Sequence, residues 1–178
     1  PGSRSQALAL AADAISHGEG SDFHVHVCID ERTAGFFGLG LAAQSRRPVA
    51  LLCTSGSGPA HYLPALLEAK HSGIPLIALT ADRPEELRGI GANQTTNQMG
   101  MFGHAVHTSV AVTAPSETEG LAEEARRHAR EAVERAQEGG ERGRSRPVHL
   151  NVAFREPLSS PISFEQAMLE TESFADIQ

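Results

Sequence analysis

The sequence predicts an α/β fold, a mainly parallel doubly wound sheet with helices on both faces. Short runs rich in Val, Ile and Leu recur along the 178-residue chain, and helical stretches separate most of them. The runs are apolar at nearly every position, which is typical of parallel strands covered on both faces. The predicted strands span 23–29, 48–54, 74–80, 105–112 and 147–153, and the predicted helices span 4–16, 31–45, 59–72 and 117–138.

The two ends of the chain suggest how this domain is bounded. Pro1-Gly2-Ser3 resembles the turn after a strand, so we expect a first strand before residue 1. Within the domain, Ser116 and Glu119 predict a capping box for the last helix. Residues 159–178 are acidic and follow Pro157, and they read as a linker toward a following domain. We therefore expect one α/β domain over 1–158 and a linker over 159–178.

Composition narrows the classes of function. The net charge is −7 and aromatic residues make up only 4%, which disfavours a phosphate backbone and base stacking, so we expect no nucleic acid partner. Cys28 and Cys53 each lie in an apolar run, which favours free thiols and a reducing cytoplasm. We see no apolar stretch of membrane-spanning length and expect no membrane span.

Asp30 and Glu31 stand where a predicted strand meets a predicted helix. A capping role is one interpretation, since a carboxylate suits the positive end of the helix dipole. The other is that one of the two is a working group, because α/β proteins place their chemistry at the carboxyl edge of the sheet. A second strand-to-helix junction, "TSGSG" at 54–58, is a tight turn or a ligand contact, and it lacks both the Walker and the dinucleotide patterns.

Arginines and a long polar stretch fall at the same predicted edge. Arg4 and Arg83 can each hold a carboxylate through two hydrogen bonds, which indicates an acidic small-molecule ligand. The alternative is that each is a surface arginine paired with Asp82, Glu85 or Glu86. The polar run over 80–98 is too long for an ordinary connection and favours a functional loop, with a solvated surface loop as the alternative. The nine histidines show no metal-ligand spacing, so we predict no metal ligands within this chain, and a serine hydrolase is disfavoured because G-x-S-x-G is absent.

Five segments in order carry a family resemblance: "PGSRS", "DERTAGFFGLGLA", "RPVALLCTSGSGPAHYLPALLEA", "PLIALTADRPEELRGIGANQTTNQ" and "NVAFREPL". Together they closely resemble the N-terminal, pyrimidine-binding domain of the 2-succinyl-5-enolpyruvyl-6-hydroxy-3-cyclohexene-1-carboxylate synthases. These are thiamine-diphosphate-dependent transferases (carboligases) of menaquinone biosynthesis. The resemblance covers residues 1 to about 158.

The resemblance implies a role for each candidate residue. Glu31 is placed at the glutamate that hydrogen-bonds N1′ of the cofactor's aminopyrimidine, which favours the tautomer that takes the proton from the thiazolium C2; Asp30 would then be the cap. Cofactor binding is implied for Glu31, Thr54, Ser55 and Gly56. Isochorismate binding is implied for Ser3, Arg4, Arg83, Asn93 and Gln94.

The resemblance also implies cofactors, partners and a larger protein. The family decarboxylates 2-oxoglutarate and adds the product to isochorismate, using thiamine diphosphate and Mg²⁺ or Mn²⁺. The metal ligands belong to a C-terminal domain, so we expect this chain to be inactive alone. The family shares active sites between subunits of a homo-oligomer and suggests a homotetramer. The chain departs from the family at Ser57, Gly58 and His61. Two alternatives stay open: another thiamine-dependent decarboxylase or carboligase, or a non-catalytic anion-binding α/β module.

Overall fold

The computed structural model describes residues 2–116, 118–138 and 145–158. Within them, four parallel strands form one sheet in the order β1-β2-β4-β3. The strands are β1 (Val49–Cys53), β2 (Leu76–Asp82), β3 (Ser109–Val112) and β4 (Val148–Ala153). Because all four run in the same direction, their carboxyl ends meet at one edge of the sheet.

Helices connect and cover the strands. The α-helices are α1 (Gln6–Ser16), α2 (Glu31–Ser45), α3 (Leu63–Ser72) and α4 (Leu121–Gln137). Short 3-10 helices span Ser3–Ser5, Gly58–Tyr62, Glu85–Leu87 and Gly103–Ala105. The predicted helix over 59–72 is thus two elements. Pro64 lies in the first turn of α3, where a missing N–H costs no hydrogen bond, and it marks the change from 3-10 to α geometry.

The sheet buries a different apolar cluster on each face. Leu51, Leu66 and Leu76 belong to the cluster under α2 and α3. Ile77 and Val148 belong to the cluster under α4. Neighbouring side chains on a strand point to opposite faces, so Leu76 and Ile77 supply the two cores in turn. The predicted doubly wound α/β architecture with helices on both faces is confirmed.

The predicted strand over 23–29 is wrong. Residues 21–28 form neither helix nor strand, and in the described part of the chain this segment pairs with no strand of the sheet. Val27 is 79% exposed and Ile29 is fully exposed. An apolar, β-branched run favours a strand, but a strand also needs a hydrogen-bonding neighbour, which local composition does not specify.

Two further boundaries differ from the predictions. The predicted strand over 105–112 begins only at Ser109, after the 3-10 turn at Gly103–Ala105. The predicted capping box is absent because α4 begins at Leu121, with Gly120 in a left-handed conformation before it. The Ser116 hydroxyl instead accepts from the Thr118 N–H at 3.2 Å, a local turn that competes with helix formation. The predicted linker at 159–178 lies outside the described residues.

Among the described helices, none combines the length and the apolar character required to cross a bilayer.

Candidate functional site

Asp30 and Glu31 divide their roles at the start of α2. Asp30 is the N-cap, and its Oδ1 accepts from both the N–H and the hydroxyl of Thr33 at 2.7 Å. The hydrogen bond from the Thr33 hydroxyl has the larger effect and the one from its N–H the smaller, and both lower the pKa of Asp30. Capping was one of the two interpretations of this pair, and Asp30 alone performs it. The Glu31 carboxylate is therefore not needed to begin the helix.

The Glu31 carboxylate faces the turn after β1. The side chain is partly buried, and a Cβ placed on Gly58 would lie 3.1 Å from Glu31 Oε1. No residue in the described ranges donates a hydrogen bond to this carboxylate. Its oxygens therefore have no hydrogen-bond donor among the described residues, and they lie beside a glycine at which a side chain would crowd them. The structure thus keeps Glu31 available for the role that the resemblance implies.

The turn formed by Thr54, Ser55 and Gly56 is held by the polar loop after β2. Arg83 donates from Nη1 to the Ser55 hydroxyl and to the Gln94 carbonyl, the latter at 2.9 Å. Gln94 Nε2 donates to the Ser55 carbonyl at 2.8 Å. The structure therefore brings four of the predicted site residues together: Ser55, Gly56, Arg83 and Gln94.

Gly56 shows why the turn needs glycine. Its φ is +89°, and a Cβ at this position would lie 2.7 Å from Gln94 Cγ. An L-residue would therefore meet both backbone strain and a filled space. Gln94 itself has a positive φ of 54°, so the two positions with a positive φ pack against each other.

Arg4 is buried and is used within the chain. Its Nη1 donates to the Phe154 carbonyl at 2.7 Å, and its Nη2 pairs with Glu156 at 2.9 Å. Its Nε is buried with no hydrogen-bond partner among the described residues. Arg4 also contributes to lowering the pKa of Arg83, after the larger effect of burial. The two arginines therefore lie close enough to influence each other.

The remaining predicted residues are less engaged. Ser3 and Asn93 are both exposed, and the described contacts do not tie their side chains to the cluster. Thr54 lies against the N-terminal segment, because a Cβ on Gly2 would be 2.6 Å from Thr54 Oγ1. The segment 2–5 therefore borders the same turn.

The loop after β2 also lines an open cavity of about 490 Å³. Its lining does not include the arginine pair or the 54–56 turn, so it does not coincide with the cluster above. The lining residues are Arg88, Gly89, Gly91, Ala92, Thr95, Thr96 and Asn97.

Buried polar residues missed by the sequence reasoning lie behind the turn. Gln98 is 1% exposed, and Asn151 is fully buried in β4. Asn151 Nδ2 donates to Asp82 Oδ2 at 2.7 Å, and Arg88 pairs with the same oxygen at 3.0 Å. The polar Asn151 within the apolar run "VHLNVA" was a usable signal. Gln98 stood in a polar stretch where nothing set it apart.

The fold and this edge define the class of protein. Residues 2–101 match the family model described as "Thiamine pyrophosphate enzyme, N-terminal TPP binding domain". This match covers more than half of the chain, and the chain belongs to that family.

Curated relatives make the class more specific. The chain is 51% identical over 158 residues to a protein of Thermobifida fusca (strain YX), and 54% identical over 160 residues to one of Clavibacter michiganensis subsp. michiganensis. It is 47% identical over 163 residues to one of Bacillus velezensis. All three are named 2-succinyl-5-enolpyruvyl-6-hydroxy-3-cyclohexene-1-carboxylate synthase. The alignments cover 89%, 89% and 92% of this chain but only 27%, 26% and 27% of the relatives, so the chain corresponds to about a quarter of their length.

A solved structure supports the fold. The chain superposes, with a TM-score of 0.66, on a solved structure titled "X-ray structure of a putative thiamin diphosphate-dependent enzyme isolated from Mycobacterium smegmatis". The superposition covers 86% of this chain and 26% of that one, at 19% sequence identity.

Proposed function

We propose that this chain is the N-terminal, pyrimidine-binding part of a thiamine-diphosphate-dependent carboligase of menaquinone biosynthesis. The reaction proposed is decarboxylation of 2-oxoglutarate and addition of the succinyl-semialdehyde unit to isochorismate. Its product is 2-succinyl-5-enolpyruvyl-6-hydroxy-3-cyclohexene-1-carboxylate. The names of relatives near 50% identity support this class. The structural observation that carries the proposal is the open Glu31 carboxylate at the first turn of α2, facing Gly58.

The residues present fit an aminopyrimidine. A flat ring can approach a turn whose glycines carry no Cβ, and at Gly58 a Cβ would crowd Glu31 Oε1 at 3.1 Å. The carboxylate can accept a hydrogen bond from a protonated ring nitrogen, since no described group occupies it. When bound, thiamine diphosphate supplies the carbon nucleophile for decarboxylation and carbon–carbon bond formation.

In this proposal each residue has a distinct task. Glu31 shares a proton with N1′ of the pyrimidine, a general acid–base role that a partly buried site strengthens. Thr54, Ser55 and Gly56 line the ring, and Asp30 only caps the helix. Ser3, Arg4, Arg83, Asn93 and Gln94 form the isochorismate side. For that side, the support is Arg83, a buried guanidinium whose hydrogen bonds to the described residues go to neutral oxygens and which can attract a carboxylate; the charge of Arg4 is already met by Glu156.

The larger protein supplies what this chain lacks in the proposal. We infer a pyrimidine-binding domain over 1–158, a linker over 159–178, and metal ligands for Mg²⁺ or Mn²⁺ on a separate C-terminal domain. We further infer a cytoplasmic homotetramer whose active sites are shared between subunits. It follows that the 178-residue chain has no carboligase activity when assayed alone, even with cofactor and metal added.

The test compares two adjacent carboxylates in the full-length synthase that carries this chain. Product formation is measured with thiamine diphosphate, Mg²⁺, 2-oxoglutarate and isochorismate. Glu31→Gln keeps the size of the side chain but cannot share a proton, so we expect turnover to fall at least ~100-fold. Asp30→Asn is the matched control, because it changes the neighbouring carboxylate and preserves a capping group. It should retain turnover within a few-fold.

Three outcomes would contradict the proposal in different ways. Near-normal turnover of Glu31→Gln would remove Glu31 from catalysis. Loss of turnover in both variants would indicate that the start of α2, and not the Glu31 proton, is what matters. A wild-type protein that decarboxylates another 2-oxo acid, without using isochorismate, would be a different thiamine-dependent carboligase.

A further inference from the structure

Gln98 makes three buried hydrogen bonds that join the turn after β1 to the interior of the sheet. Its Oε1 accepts from the Gly56 N–H at 2.8 Å. Its Nε2 donates to the Ala81 carbonyl at 3.0 Å and to Asn151 Oδ1 at 2.8 Å. The side chain is 1% exposed, so water does not compete for these bonds.

The orientation of the Gln98 amide is fixed by these partners. A reversed amide would set its N–H groups against the Gly56 N–H and its oxygen against the Ala81 carbonyl. Asn151 is fixed in turn, because its Oδ1 accepts from Gln98 and from the Thr80 hydroxyl while its Nδ2 donates to Asp82. The Asp82 carboxylate therefore fixes the orientation of Asn151. Asn151 in turn fixes the Gln98 amide, which presents its oxygen to the Gly56 N–H.

The network continues along the same face of the sheet toward β3. Thr80 has one hydroxyl hydrogen and gives it to Asn151, so at 2.8 Å it accepts from His149 Nε2. The Ser109 hydroxyl lies 3.2 Å from His149 Nδ1, which can then accept from it. Thr80 thus belongs to the same network as Gln98, and its hydroxyl bonds to Asn151 and His149 but not to the 54–56 turn.

We infer that Gln98 is a positioning residue that fixes the shape of the 54–56 turn by accepting the Gly56 N–H. The inference deepens the proposed function, since this is the turn proposed to line the pyrimidine. A buried N–H without an acceptor is costly, so the turn keeps this conformation only while Gln98 is present. Gln94 and Arg83 hold the same turn through Ser55, but neither reaches the Gly56 N–H.

The first measurement is amide hydrogen exchange, which requires no cofactor. The exchange rate of the Gly56 amide is divided by that of the Ala78 amide in the wild-type chain, in Gln98→Met and in Thr80→Val. Ala78 is a fully buried residue of β2, so its exchange rate reports global opening. We expect the ratio to rise about tenfold in Gln98→Met, which keeps the side-chain shape but removes the acceptor. Thr80→Val should leave the ratio unchanged, although it disturbs the same network.

The second measurement is the dissociation constant for thiamine diphosphate with Mg²⁺, determined by calorimetry on the full-length synthase. Gln98→Met should weaken binding about tenfold, and Thr80→Val should change it less than twofold. An unchanged exchange ratio in Gln98→Met, or an equal rise in both variants, would overturn the positioning role. Absence of cofactor binding by the wild-type protein would instead overturn the proposed function, and the exchange ratio would still decide the role of Gln98.

Discussion

Replacing Gly56 by alanine should destabilise the chain much more than the same change at Gly89. Both glycines have a positive φ, +89° and +75°. A new Cβ at Gly56 would lie 2.7 Å from Gln94 Cγ and 3.2 Å from the Gln94 carbonyl oxygen. At Gly89 nothing lies within 4 Å of the same atom. The pair therefore separates the cost of backbone conformation from the cost of occupied space.

The magnitudes follow from these two costs. An alanine in the left-handed region costs roughly 1 kcal/mol, and this applies to both variants. Overpacking a filled site adds about 1–3 kcal/mol, and this applies only to Gly56→Ala. We expect free energies of unfolding lowered by about 1 kcal/mol for Gly89→Ala and about 2–4 kcal/mol for Gly56→Ala. In a domain of this size, the difference lowers the melting temperature by roughly 2–4 °C per kcal/mol.

The assay is urea denaturation of the 178-residue chain followed by circular dichroism, with the two variants measured beside the wild type. A double variant, Gly56→Ala with Gln94→Ala, removes the Cγ that the new Cβ meets. It should be less destabilised than the sum of the two single changes. Equal destabilisation by Gly56→Ala and Gly89→Ala, or strict additivity in the double variant, would refute the packing of Gln94 on this turn.

Three further predictions concern buried polar and thiol groups. Tyr62→Phe should lower the free energy of unfolding by about 1 kcal/mol, because the buried hydroxyl donates to the Leu52 carbonyl at 2.9 Å; a change below a few tenths would contradict this. Burial lowers the pKa of His149 to about 4, so the folded state binds fewer protons than the unfolded state between pH 4 and 6.5. Stability should therefore fall as pH drops through this window, by about 3 kcal/mol from this residue. A His149→Gln variant should lack that part of the slope in urea titrations, and a parallel slope would be contrary evidence. Burial also raises the pKa of the Cys53 thiol to about 12, whereas Cys28 is partly exposed. A thiol reagent should therefore modify one group per native chain and two in urea, and rapid modification of both in native buffer would be inconsistent with the structure.

The sequence predicts elements best where local chemistry and tertiary packing agree. The predicted bounds of α2, 31–45, agree with the structure, in which Asp30 caps the helix and Arg46, in a left-handed conformation, ends it. The segment 23–29 failed for the opposite reason. Its composition favours a strand, but pairing is a property of the neighbouring chain, and the described sheet offers it no partner.

In the candidate site, too, residues with a local sequence signal were predicted, and residues whose role depends on distant parts of the chain were missed. Glu31 and the 54–56 turn were found because strand-to-helix junctions of parallel sheets gather at one edge. Gln98 was not found, since its role depends on a three-dimensional coincidence of Gly56, Ala81 and Asn151, which are far apart in sequence. Nor did the sequence show that Arg4 is paired with Glu156, because an ion pair between the two ends of the domain has no local signature.

The strand order has a consequence for how the chain folds as it is synthesised. β4 lies between β2 and β3, although it is made after both of them. Until residues 148–153 leave the ribosome, β2 has one unpaired edge and β3 has no neighbour in the sheet. Asn151, which anchors Gln98, arrives with this last strand. The nascent chain therefore carries an open, aggregation-prone strand edge until near the end of the domain, and the turn bearing Gly56 reaches its final shape last.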